Sequence, residues 1–218
     1  MKRFYCNLTC LLALVSLCAC VPQTVEGYGS FESFFVDGYS ELLSLEFVSF
    51  NTEESSIIVR YNSELEVNQQ GARERWGDTD GHFLHGDAIP YIRVLDHAFD
   101  RITIISNADF NDIVAGQDLG DKVMIYTGSA LPSIRAGERL DYPSWEEFSE
   151  SNLCYYLWPV VKSLNELTKE DLSLINADCV TFIFKDNPIQ PKHTFTLTFF
   201  EGSKQWPLDV HIDFNTYE

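Results

Sequence analysis

Apolar and polar residues alternate with period two over long stretches of the chain, the pattern of strands that turn one face to a core. The plainest case is the last. Phe195, Leu197 and Phe199 alternate with Thr194, Thr196 and Thr198, and after Glu201-Gly202-Ser203-Lys204 the pattern resumes as Trp206, Leu208, Val210, Ile212 and Phe214. A hairpin turning on those four residues sets Phe199 opposite Trp206, Leu197 opposite Leu208 and Phe195 opposite Val210, with the apolar side chains on one face. Thr194, Thr196, Asp209, His211 and Asp213 then share the wet face. Pro207 has no N–H to donate, which points to an edge position or a bulge.

Upstream, Leu43, Leu45 and Phe47 alternate with Ser44 and Glu46. From Ile57 the odd positions Val59, Tyr61, Ser63, Leu65 and Val67 interleave with Arg60, Asn62, Glu64 and Glu66. Shorter strand candidates are 91–95, 101–106, 123–127 and 180–184. Helical signals are few. Ser144 followed by Glu147 forms a capping box ahead of Trp145 and Phe148, and Thr168 followed by Asp171 a variant cap with Leu167 and Leu172 placed as a staple. The pattern therefore predicts a mainly β domain, a two-sheet β-sandwich over residues 41–218 with a short helical insertion around 143–176. Residues 20–40 read as a tether whose end is already structured.

The first twenty residues change the picture. Lys2 and Arg3 precede an apolar run over residues 8–15, too short for a permanent span. The following SLCAC places Leu17 three residues before Cys20 and small Ala19 directly before it. That is the pattern of a bacterial lipobox, which makes residues 1–19 a signal peptide and Cys20 the lipidated N-terminus of the mature chain. A lipid on Cys20 anchors at about 0.8 kcal/mol per buried CH₂, without a transmembrane helix.

Charge narrows the partners. The chain has 15 Lys+Arg against 33 Asp+Glu, a net charge of −18, and cleavage would remove two further basic residues and no acidic one. Such a surface repels phosphate backbones and anionic headgroups, which argues against nucleic acid and against peripheral electrostatic membrane binding. Of the six cysteines, Cys6, Cys10 and Cys18 lie in the signal and Cys20 is the acceptor, leaving Cys154 and Cys179. In an oxidising compartment they are expected to pair, closing a loop of about 26 residues and stabilising by roughly 3 to 4 kcal/mol. Two buried thiols are the alternative.

Candidate chemistry is sparse. GxSxG, P-loop, GxGxxG and HExxH signatures are all missing from the sequence. His97 is explained by a strand end and His211 by the polar face of the hairpin. The stretch from Asp78 to Asp87 is the exception, with Asp78, Asp80, His82, His85 and Asp87 at spacings that resemble the opening of a divalent-cation loop, though without the third oxygen residue and later bidentate Glu of an EF-hand. A polar Gly-rich connection is the plainer reading. Asp109, Asp112, Asp118 and Asp121 are explained by turn chemistry. Trp76, beside Arg73, Arg75 and Asp78, is the tryptophan placed for a ligand surface.

The lipobox, the run FDRITIISNADFNDIVAGQDLGDKVMIYTG and the run LTKEDLSLINADCVTFIFKDNPIQPKHTFTLTFF together resemble small uncharacterised lipoproteins of Bacteroides-type gut bacteria, over residues 95 to 215. The resemblance implies a β-rich fold and an envelope location and carries over no catalytic residue. Surface-exported lipoproteins of that group tend to bear acids directly after the acceptor cysteine. Here Val21-Pro22-Gln23-Thr24-Val25 intervenes before Glu26, which favours an outer-membrane anchor facing the periplasm. The functional expectation is a membrane-anchored, non-enzymatic binding or structural module without a cofactor, its partner an envelope protein or a glycan. The rival is a metal-assisted hydrolase built on the 78–87 loop with a divalent cation.

Overall fold

The alternating segments become strands because each has one apolar face to bury. The structure, a computed structural model, describes residues 34–79, 92–137 and 157–215. In chain order these hold β1 (Gly38–Asn51), β2 (Ser56–Leu65), α1 (Gln69–Trp76), β3 (Arg93–Leu95), β4 (Arg101–Ser106), β5 (Val123–Ser129), α2 (Leu131–Ala136), β6 (Trp158–Ser163), a 3₁₀ turn (Leu164–Glu166), β7 (Cys179–Phe184), β8 (Lys192–Glu201) and β9 (Lys204–Asp213). One sheet runs β3-β1-β2-β7-β5-β6 and the other β4-β8-β9. The mainly β, two-sheet reading of the sequence holds.

The larger core lies where the two sheets face. Ile57, Val59 and Tyr61 of β2 and Val180, Phe182 and Phe184 of β7 meet Phe195, Leu197 and Phe199 of β8, all buried. Aromatic rings dominate the contact. Tyr61, Phe182 and Phe99 each meet Phe199 edge-on, with centroids 5.9, 6.3 and 5.1 Å away, the geometry the ring quadrupole favours. A second cluster forms where Phe35, Val36 and Tyr39 pack with Ile92 and Val94, Ala72 of α1, and Leu131 and Ile134 of α2.

The terminal hairpin has the predicted register, with Phe199↔Trp206, Leu197↔Leu208 and Phe195↔Val210. Leu208 is only partly buried, because β9 is the edge of its sheet. Pro207 sits on that edge strand, where its missing N–H costs no ladder bond. On the wet face Thr196 donates to Asp209 (2.7 Å) and Thr194 bonds His211 (2.9 Å).

The stretch 143–176 is described only from residue 157. That part is strand β6, the 3₁₀ turn and a single turn at Thr168–Asp171, in which Thr168 N and Asp171 N are each bonded by the other's side chain. The cap forms there without a helix behind it. Among the described residues the α-helices lie elsewhere, at α1 and α2, and the capping box at Ser144 falls outside the described residues. The N-terminal stretch is structured from before residue 41, since Phe35 and Val36 are buried and β1 begins at Gly38.

β1 has an unusual margin. On one side it pairs with β2 along its length; on the other β3 covers only Gly38–Ser40. Just beyond, side chains replace a strand: Leu42 N–H donates to His97 Nε2 (3.0 Å), and the Trp206 indole N–H donates to Leu42 O (3.0 Å). Register shifts after Leu42 and Phe47 twist the remainder, a usual way of blunting an exposed edge.

Candidate functional site

α1 delivers the first of the predicted site residues. Asn68 caps the helix by accepting from Gly71 N (2.9 Å), and Gly77, at φ 77°, ends it in the left-handed conformation a glycine adopts without strain. The turn inserts Asp78 into the second cluster, fully buried. Its Oδ1 accepts from Phe35 N (2.8 Å), and its Oδ2 from Val36 N (3.1 Å) and Tyr39 Oη (2.9 Å). Both oxygens of Asp78 are therefore engaged in holding the entering chain. Trp76 packs against the same cluster and donates its indole N–H to Asp96 (2.6 Å), which makes it a packed tryptophan with one edge exposed. Asp80, His82, His85, Asp87, Cys154 and Cys20 lie outside the described residues. Among the described residues no three His, Cys, Asp or Glu side chains stand together as a metal set. Among the described residues Cys179 has no disulfide partner; its thiol is half-buried at the start of β7, pushed up in pKa by burial and then by the Asp178 charge.

Two histidine pairs resemble catalytic dyads and are closed by their surroundings. His97 is 2% exposed, with Nδ1 2.7 Å from Glu201 Oε2. Because Nε2 accepts the Leu42 N–H, Nδ1 is the protonated nitrogen and donates to Glu201. Neither nitrogen is left for a substrate. His193 Nε2 lies 2.7 Å from the Gln190 carbonyl, which only accepts, so its Nδ1 accepts from Ser106 Oγ–H at 2.7 Å. The arrangement is that of a base and its nucleophile, but Ser106 is 2% and His193 4% exposed, with Phe195 stacked on the imidazole. Both histidines orient backbone and core.

An open groove of about 490 Å³ is the remaining candidate. It forms where the chain runs from beside β3 into the start of β7: Ala177 N donates to Arg93 O, and Asp178 O accepts from Tyr61 N. One wall is Ser44 and Glu46 of β1 with Arg60, Tyr61 and Asn62 of β2, and the other is Arg93, Ala177 and Asp178. The volume suits a ligand of a few tens of atoms at most. Arg60 is exposed and lies 3.8 Å from Glu46. Arg93 is different. One Nη donates to Ser40 Oγ (2.9 Å), and its Nε is buried without a hydrogen-bond partner. The Tyr61 hydroxyl is likewise buried and without a partner, on a side chain 4% exposed. Burial, and then the nearby Cys179, push the Tyr61 phenol well above its ordinary pKa, so it stays protonated.

Sequence reasoning missed this groove. Arg93 fell within a short strand candidate, but that it would line a groove together with the polar positions of β1 and β2 depends on where residues 177 and 178 cross. The weak signal was an arginine opening an apolar strand (Ile92-Arg93-Val94-Leu95) in an acid-rich chain. No protein-family model, curated protein or solved structure matches the chain.

Proposed function

We propose that this chain is a lipid-anchored module of a bacterial envelope that binds a small polar ligand rather than transforming one. The observation that supports it is the open groove of about 490 Å³, whose lining brings Arg93 together with Ser44, Glu46, Arg60, Asn62 and Asp178. The anchor rests on the lipobox: signal cleavage before Cys20, a lipid on its thiol, and the outer membrane as the attachment site, facing the periplasm. In that oxidising setting Cys179 would close a bridge with Cys154, and a protein isolated from the envelope whose two thiols both alkylate without reductant counts against it.

Metabolic labelling with a fatty-acid probe tests the anchor. The expected result is a labelled protein in the membrane fraction, with label and fractionation both lost in Cys20→Ala. Continued labelling of that variant refutes it. Binding is tested by isothermal titration of the purified protein against sugars, sugar acids and amino acids, with Arg93→Gln as the variant expected to bind more weakly.

A further inference from the structure

The margin of β1 is closed at Leu42 by a side chain whose hydrogen-bonding sense depends on its protonation. His97 Nε2 accepts the Leu42 N–H (3.0 Å) only while that nitrogen carries no proton, the other ring nitrogen being the donor to Glu201 (2.7 Å). A proton added to the ring therefore goes to Nε2. Two donors then face each other across the same 3.0 Å, and one has to yield. An alternative acceptor is already in place, because Glu41 Oε2 lies 3.5 Å from Nε2.

Every element packed on the ring contributes to its surroundings. β1 brings Glu41, β8 brings Glu201, and β9 brings Lys204, which reaches Glu41 at 3.2 Å. On the segment of His97 itself, Asp96 is taken by Arg75 and Trp76, and Asp100 by Lys169, which also feels the Glu201 charge. Phe99 stacks on the imidazole, Trp206 meets it edge-on, and the Leu174 N–H holds the His97 carbonyl. One carboxylate thus stands at each ring nitrogen, with an ammonium behind the Glu41 side alone.

We infer that His97 is an acid-operated switch of the β1 margin: neutral, it holds the Leu42 N–H; protonated, it releases that N–H and donates from Nε2 to Glu41. Leu42 is 2% exposed, so an N–H left there without an acceptor is costly. The strand yields at the register shift that follows directly after Leu42. The Trp206 indole needs only the Leu42 carbonyl and keeps its bond, which confines the opening to the margin beyond that residue. A single proton thereby couples the acidity of the surroundings to the closure of a sheet edge.

The test follows the full chain, labelled with nitrogen-15, by NMR from pH about 8 down to about 5, the range in which imidazole changes charge. The His97 ring is expected to carry hydrogen on Nδ1 alone at the upper end and on both nitrogens at the lower, with the Leu42 amide resonance moving at the same midpoint. Protection of that amide against hydrogen exchange, corrected for the intrinsic pH dependence, should fall about tenfold or more through the transition. Glu41→Gln keeps a polar group and removes the charge, and should weaken proton binding at His97 about threefold or more. His97→Gln should leave the Leu42 amide without a transition in this range. If that variant does not fold, Glu41→Gln, at a partly exposed position, carries the test. A His97 that takes up its proton while the Leu42 amide stays unchanged overturns the switch, as does a His97 that stays singly protonated throughout. An unmoved midpoint in Glu41→Gln removes the second position of the switch and overturns it equally.

Discussion

His97 is where a single side chain does most to hold this fold. It satisfies the edge of β1 through Leu42 and receives the Glu201 carboxylate, with Phe99 stacked on one side of the ring and Trp206 edge-on. His97→Ala would leave a buried N–H and a cavity together, and the expected cost is about 3 kcal/mol or more in urea unfolding. A loss below about 1 kcal/mol would mean the edge is satisfied by water as well. Its partner sets a pH dependence. Burial pushes the Glu201 carboxyl up, but the Ala98 N–H, His97 and Lys204 outweigh it, and the net shift is downward. Asp171 behaves alike, with Lys162 and Thr168 overcoming burial. A depressed carboxyl stabilises above its unfolded pKa, about 4, and that contribution is lost as pH falls through the folded value. Asp118, raised by burial, works in the opposite sense. Glu201→Gln should therefore be less stable at neutral pH and show a shallower loss of stability below pH about 4.5 than the parent. Parallel curves would rule Glu201 out as a source of the acid sensitivity.

Among the elements, the β8–β9 hairpin permits the sharpest contrast. Leu197 is 1% exposed in the core, whereas Thr196 lies on the other face with only Asp209 as partner. Leu197→Ala should cost about 2 to 5 kcal/mol and Thr196→Ala less than about 1 kcal/mol, measured by denaturant midpoint at constant slope. Equal costs would place the wrong face inward. This hairpin was legible in the sequence because eight apolar positions kept strict parity around a four-residue turn. β6 was not, because in Trp158-Pro-Val-Val-Lys-Ser163 a proline, two adjacent valines and a lysine erase the alternation. α1 was illegible for a related reason. Gln69-Gln-Gly-Ala-Arg-Glu-Arg-Trp76 is polar nearly throughout and buries only Ala72, so no apolar stripe announced it; caps at Asn68 and Gly77 make the helix. The Asp78 position shows the limit at the site. Its spacing fits a cation loop, yet three hydrogen bonds from residues some forty positions upstream take both its oxygens, and long-range pairing of that kind leaves no local signature.

At the scale of the whole molecule, the first and last strands of the described residues, β1 and β9, lie side by side and run the same way. Trp206 reaches Leu42 near the start of each, and Phe50 meets Phe214 edge-on, centroids 5.0 Å apart, near the end. The chain thus enters the fold at one end of this pair and leaves it at the other. Tension between the termini pulls β1 and β9 along their own axes in opposite directions. The ladders to β2 and β8 are then sheared, many hydrogen bonds sharing the load at once. A pull applied at Lys192 and Asp213, which face each other across the open end of the hairpin, separates the same strands one bond at a time. Single-molecule stretching from the two termini should accordingly show a markedly higher rupture force than stretching through handles at those two positions. A protein held by its N-terminal segment while something tugs at its far end would be loaded in the direction in which it is hardest to unravel.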